Sequence, residues 1–326
     1  MFMTTGENRM RALVTGCAGF VGSSLAEELL RQGNTVHGID CFTDYYPRII
    51  KEENIKALLE HERFVFDEKN LLDVDMKELL SEVDVIFHQA AQAGVRSSWG
   101  NHFHIYTDNN ILATQRILEA MSDTDCCLVY ASSSSVYGET KRLPMCEEHP
   151  THPRSPYGVT KLAAEHLCHL YWENFGVKTI ALRYFTVYGP RQRPDMAFHR
   201  FIRAMLTDKE IVIYGDGTQT RDFTFISDAV QANIQAFASN RWGGVYNIGG
   251  GTRCSINDVI QLLETILGHP ARVKYLEPQK GDVMHTYADT KLARTELGFN
   301  PTTSLAEGLA REAEWIEKVI LARDVI

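Results

Sequence analysis

The sequence predicts an α/β protein: a doubly wound parallel sheet covered by helices, followed by a smaller α/β domain. Three observations carry this expectation. Short apolar runs alternate with helical patterns through the first half. The runs are apolar on both faces, as strands buried from both sides are. A glycine-spaced turn joins the first run to the first helix.

The first strand is read at Arg11–Thr15, and the first helix at Gly22–Gln32, with Leu25, Leu29 and Leu30 on one face. Further strands follow at Thr35–Asp40, Arg63–Phe66, Val83–His88 and Cys127–Ser132. Helical patterns cover Asn109–Met121 and Tyr157–Phe175, and Lys178–Tyr184 reads as the next strand. These residues, 1–185, form the expected first domain. Beyond them, glycine and proline turns at 187–194, 215–217 and 249–251 interrupt short strands such as Ile211–Tyr214 and helices such as Ile256–Leu267. That marks 186–326 as a second, interrupted domain, with the segment near 226–248 returning to the first sheet. The cleft between the two is the expected ligand site.

Composition narrows the partners. With 44% hydrophobic and 23% charged residues among 326, the chain has ordinary globular usage. A net charge of −9 argues against a nucleic-acid partner, though local arginines can still hold a small anion. No apolar run reaches the roughly 18 residues of a membrane span, and the start lacks the pattern of a signal peptide. The seven cysteines are scattered and show no metal-ligand spacing, so a cytoplasmic protein without a metal is expected.

Gly16-x-x-Gly19-x-x-Gly22 sits between the first strand and the first helix. Glycines there permit a tight turn, a close backbone approach to a pyrophosphate, and helix–strand packing. The spacing is one residue wider than the standard fingerprint. Asp40, ending the second strand, strengthens it: a carboxylate there accepts from both ribose hydroxyls and repels a 2′-phosphate, favouring NAD.

Tyr157 and Lys161 are four residues apart at the start of a helix and so share a face. An adjacent ammonium is expected to lower the phenol pKa, making Tyr157 a general base for a sugar hydroxyl. Such pairs are also common on half-exposed helices, so their partners matter. Ser132–Ser135 follow a strand at the carboxyl edge of the sheet, where ligands of such folds bind.

Together with LeuArgTyrPheThrValTyrGlyPro at 182–190 and GlyAspGlyThrGlnThrArgAspPhe at 215–223, these motifs resemble the extended short-chain dehydrogenase/reductase family. The likeness covers nearly the whole chain. It implies a Rossmann-type NAD domain, a sugar-nucleotide domain and a homodimer built through paired helices. GlyValArgSerSerTrpGlyAsn at 94–101 and the segment 186–198 resemble the UDP-glucuronate 4-epimerases within that family. By that likeness Ser133, Tyr157 and Lys161 are the catalytic set. Gly16, Gly19, Phe20, Val21, Gly22, Asp40, Asn70, Leu71, Ala90, Gln92 and Tyr184 bind NAD with Tyr157 and Lys161, and Asn109 or Asn110 closes the site. Arg221 and Asp282 hold the diphosphate, Arg193 reaches a sugar carboxylate, and Arg96 lies on the substrate side. On sequence alone, Arg96 and Arg193 also suit solvated loop positions, and for Arg193 the two readings weigh evenly.

The resemblance implies epimerisation at C4 of a UDP-sugar through a transient 4-keto intermediate, UDP-glucuronate to UDP-galacturonate first among the candidates. Family dehydratases carry Asp-Glu, and decarboxylases Ser-Glu, at the positions of Ser134 and Ser135. Neither is acidic here, and serine hydroxyls suit holding a carboxylate, which disfavours decarboxylation. Thr186 replaces the asparagine of galactose-type epimerases, and Gln279 stands where an arginine often contacts a phosphate. UDP-glucuronate decarboxylation, 4-epimerisation of UDP-glucose or its N-acetyl relative, and a non-enzymatic NAD-binding regulator are the alternatives.

Overall fold

The computed structural model describes residues 9–140, 142–277, 281 and 283–323. Its strands are β1 (Arg11–Thr15), β2 (Thr35–Asp40), β3 (Phe64–Glu68), β4 (Val85–His88), β5 (Cys127–Ser133) and β6 (Thr179–Tyr184). The second half adds β7 (Thr186–Tyr188), β8 (Ile211–Tyr214), β9 (Thr220–Phe225), β10 (Val245–Ile248), β11 (Arg253–Ser255) and β12 (Val273–Leu276). Seven strands form one sheet in the order β10-β6-β5-β4-β1-β2-β3. Every pairing within it is parallel.

Alternate residues of each strand feed opposite faces. Ala12 and Val14 pack into a core with Leu25, Leu29, Ala229 and Val230, whose helices are Phe20–Arg31 and Ile226–Ser239. Leu13, between them, joins Ile117, Leu118 and Ala164 on the other face, under Ala113–Met121 and Pro156–Phe175. This is the doubly wound α/β arrangement, and burial on both faces explains why the central strands β1, β4, β5 and β6 carry no polar alternation. Beyond β6, β11-β9-β7 and β12-β8 form two smaller sheets. Helix Ile226–Ser239 and β10 lie on the large sheet, β10 paired with β6.

The strand order reverses at β1, which lies between β2 and β4. A crevice opens there at the carboxyl ends, and the glycine turn fills it. Gly16 adopts φ +67°, and a Cβ on it would stand 2.7 Å from the Ala90 backbone nitrogen. A Cβ on Gly22 would stand 2.1 Å from the Gly16 carbonyl oxygen. Loop, helix and β4 therefore meet backbone to backbone.

Behind that meeting point lies His88, 1% exposed. Thr114 donates to the Asn110 carbonyl at 2.8 Å, so its oxygen can only accept from His88 Nε2, 3.0 Å away. His88 Nδ1 then accepts from Thr15 at 2.7 Å, while the Thr15 oxygen takes the Ala90 N–H at 3.2 Å. Each proton has one place, and the imidazole is neutral. Burial pushes its pKa down to about 3.

Between the unfolded value of 6.5 and about 3, the unfolded chain binds a proton that the folded one does not. Stability from this site is present in full above that window and is lost as pH falls through it. In urea titrations from pH 7 to pH 5, His88→Gln should start less stable, yet lose less on acidification. The difference in slope should approach about 1.4 kcal/mol per pH unit; equal slopes would contradict it.

Candidate active site

The helix Phe20–Arg31 begins at Gly19 with no side chain capping it. Its first N–H groups therefore face the cleft lined by Gly16, Phe20 and Val21, an arrangement suited to a pyrophosphate. Asp40 stands beside it at the end of β2. One carboxylate oxygen accepts from Ala18 N–H at 3.1 Å and the other from Phe42 N–H at 2.8 Å. Each oxygen keeps a lone pair for a ribose hydroxyl. The flexible cofactor implied by the sequence fits here, because only bare backbone allows a diphosphate to approach so closely. Asn70, Leu71, Ala90 and Gln92 line the same cleft.

At the far end of the cleft, Tyr157 opens the helix Pro156–Phe175 and is hydrogen-bonded to Ser133, which closes β5. That helix is set by Ser155, whose hydroxyl caps Gly158 N–H at 3.1 Å, and by Pro156 in its first turn. Lys161 follows one turn later, 3% exposed, its ammonium 4.6 Å above the Tyr130 ring. Tyr157 and Lys161 both line the cleft with Tyr184, whose hydroxyl bonds Asn233 at 2.9 Å. The glycine turn, Asp40 and the Tyr157–Lys161 pair thus share one cavity.

The model of the NAD dependent epimerase/dehydratase family matches residues 12–249. The chain belongs to that family. A UDP-glucuronate 4-epimerase of Thermodesulfobacterium geofontis is 38% identical over 94% of this chain and 96% of its own length. An uncharacterised UDP-glucose epimerase of Bacillus subtilis, YtcB, is 48% identical over 95% of this chain and 99% of its own. The crystal structure of UDP-glucuronic acid 4-epimerase from Bacillus cereus, in complex with UDP-glucuronic acid and NAD, superposes with a TM-score of 0.93 at 46% identity. It covers 95% of this chain and all (100%) of that one.

The electrostatics of this epimerase-family site depart from expectation at the tyrosine. Burial raises the Tyr157 pKa, and the groups opposing it are the Arg193 cation and a hydrogen bond with Ser133. Lys161 is itself pushed down to about 7 by burial. The cation that favours phenolate here is Arg193, from the second half of the chain.

Arg193 lines the cleft, but its guanidinium already grips Asp195, with Nε and Nη2 each 3.0 Å from a carboxylate oxygen. Burial opposes its charge, and Asp195 outweighs that, keeping it protonated. Tyr45, from the loop after β2, donates to the same carboxylate at 3.2 Å. The two halves of the chain are bridged at this point.

Other expected residues fall as follows. Asn109 lines the cleft. Asn110 does not serve as an alternative to it: its amide accepts from Gln92 N–H at 2.7 Å and donates to Gln92 O at 3.1 Å and Thr160 at 2.9 Å. It supports the wall rather than forming it. Ser134 and Ser135 occupy a 3₁₀ turn after β5, with Ser135 N–H donating to Ser133 at 3.1 Å. Thr186 starts β7, opposite Phe223. The Arg96 guanidinium stacks 4.4 Å from the Tyr214 ring centroid. Arg221 donates to Thr220 O at 2.9 Å and Met284 O at 3.1 Å beside a second cavity, which Tyr214, Tyr275 and Glu277 also line. Asp282 and Gln279 lie outside the described residues.

Lys51, absent from the expected set, lines the cleft and is 4% exposed. It donates to Thr43 O at 2.5 Å, and its charge acts on Asp40. Asp195 was likewise unforeseen, though its two-residue spacing from Arg193 is visible in the sequence. Among the described residues no helix is long and apolar enough to cross a membrane.

Proposed function

We propose that this chain interconverts UDP-glucuronate and UDP-galacturonate by epimerisation at C4. The convergence of Tyr157 and Lys161 in a cleft that also presents Asp40 and an uncapped helix start, with Ser133 hydrogen-bonded to Tyr157, carries this reading. The likeness to the Bacillus cereus enzyme supports it. NAD, held by the glycine turn, Asp40 and Lys161, supplies the acceptor and donor of hydride at C4.

Tyr157, ionised, removes the C4 hydroxyl proton, helped by the Arg193 charge. Ser133 donates a hydrogen bond to the same oxygen. After the 4-keto sugar turns over, Tyr157 returns its proton to the oxygen presented from the other face. No external reductant enters. Ser134 and Ser135 offer no acid or base for 5,6-elimination, and their hydroxyls suit holding the sugar carboxylate out of line with the C4 carbonyl, which disfavours loss of carbon dioxide. The second cavity, with Arg221, takes the nucleotide diphosphate, and 186–326 forms the sugar-nucleotide domain. Incubation with UDP-glucuronate should yield UDP-galacturonate, read by NMR at C4 and C5. A UDP-pentose with released carbon dioxide would overturn the assignment.

Epimerisation of the neutral UDP-glucose is the second reading. It is favoured by the Asp195 carboxylate already occupying Arg193 and by the naming of the Bacillus subtilis relative. Arg193→Ala separates the two. If Arg193 reads the acid, kcat/KM for UDP-glucuronate should fall further than for UDP-glucose. A charge-assisted bond is worth about 1.5–3 kcal/mol, and sharing with Asp195 places the loss near the lower bound, roughly tenfold. Equal losses with both substrates would remove that role.

A homodimer and a cytoplasmic setting complete the proposal. Helix Pro156–Phe175 exposes Val159, Leu170 and Phe175 at 47%, 49% and 67%, apolar area suited to a helix-paired interface with Ala113–Met121. All seven cysteines are free thiols, in keeping with a reducing compartment. Leu170→Glu should sediment as a monomer where the parent sediments as a dimer; a monomeric parent would refute the interface.

A further inference from the structure

Glu165 lies one helical turn beyond Lys161 and is 4% exposed. Its carboxylate is fully engaged. One oxygen accepts from the Ser132 hydroxyl at 2.5 Å and from Arg183 Nε at 3.0 Å; the other accepts from Arg183 Nη2 at 2.6 Å. Arg183 Nη1 donates to the Tyr137 hydroxyl at 2.8 Å, which donates in turn to Asn247 at 2.7 Å. The network therefore ties the helix Pro156–Phe175 to the ends of β5, β6 and β10.

Its members stand beside the site. Ser132 precedes Ser133, Arg183 precedes Tyr184, and Tyr137 follows the turn that holds Ser134 and Ser135. A buried ion pair is a poor source of stability, because desolvation offsets most of the attraction and apolar residues of equal volume often serve as well. What a satisfied polar network supplies is a single geometry. We propose that Glu165 is a positioning residue for the C4 oxidation and reduction. Its carboxylate locks the carboxyl ends of β5 and β6 to the helix, and so sets where Ser133 stands relative to Tyr157 and Lys161. This rests on reading those three as the catalytic set.

The charge of Glu165 also reaches Lys161. The groups that face the ammonium are Tyr130 on β5, His88 on β4, and Glu165 and Cys168 on its own helix. Burial lowers Lys161, while Cys168 and Glu165 oppose that. Removing the Glu165 charge therefore lowers Lys161 further.

The test is Glu165→Gln in the full chain with bound NAD, turning over UDP-glucuronate. For a folded variant with a native circular dichroism spectrum, kcat should fall by about 100-fold with KM unchanged. The alkaline limb of kcat should move to lower pH, and Glu165→Asp should recover part of the loss. A folded Glu165→Gln with parental kcat and pH profile overturns the proposal. Should that variant not fold, Arg183→Lys keeps the charge but loses the two-pronged contact. Reduced kcat at unchanged KM then supports the role, and parental kcat overturns it. Tyr157→Phe in parallel separates the two claims. Its full activity would remove the catalytic assignment itself, whereas an inactive Tyr157→Phe beside a fully active Glu165→Gln removes only the positioning role.

Discussion

Everything in this molecule is arranged around one steric constraint, the approach of bare backbone to bare backbone at Gly16. The turn after β1 lies so close to the end of β4 that no side chain fits between them, and the first helix starts against the same carbonyl. That contact creates an uncapped helix start at the crevice where the strand order reverses. A negatively charged ligand is favoured there by geometry and by the helix dipole together. Asp40, Ala90 and Gln92 acquire their places relative to this point because each follows directly from a strand paired with β1 or with its neighbours.

Burial then sets the chemistry at the other end. A phenol and an ammonium withdrawn from water both resist their charged forms, and Tyr157 and Lys161 are both shifted that way. The compensation comes from outside the pair, from Arg193 on a loop of the second half and from Ser133 at the end of β5. A tyrosine–lysine motif four residues long is thus only a fragment of the acid–base machinery. The remainder is assembled by the tertiary fold.

The same division explains what could be read from the chain. The bounds of β1, β2 and β8 coincide with those read from the sequence: β1 carries an apolar centre buried from both faces, while β2 and β8 alternate buried and half-buried residues. Helix Arg48–Leu59 has no clean apolar stripe: Ile49 and Leu59 face solvent, while Lys51 and Asn54 are buried on its inner face. The pattern at Asn109–Met121 conceals a π-helical turn over Thr107–Leu112, and a locally widened turn changes hydrogen bonding without changing residue types. The places of the glycine turn, Asp40, Tyr157 and Lys161 along one cleft were legible, since each sits at a fixed offset within its element. Asp195 as partner of Arg193, Lys51 in the cleft, and the withdrawal of Asn110 behind Gln92 depend on loop paths and side-chain direction. Periodicity carries no record of either.

The bridge from Tyr45 to Asp195 has a bearing on traffic through the cleft. Tyr45 belongs to the half that carries the glycine turn, Asp195 to the other, and Tyr45 and Arg193 both form part of the cavity wall. Parting them gives up one hydrogen bond, a net of about 0.5–1.5 kcal/mol or more with a charged acceptor, and the contact of the Arg193 guanidinium with the Tyr45 ring, 5.8 Å from its centroid. While it holds, this fastening keeps Asp195 against the Arg193 guanidinium in the cleft wall. The cleft wall is thus joined across the two halves of the chain by contacts that cost little to break and remake.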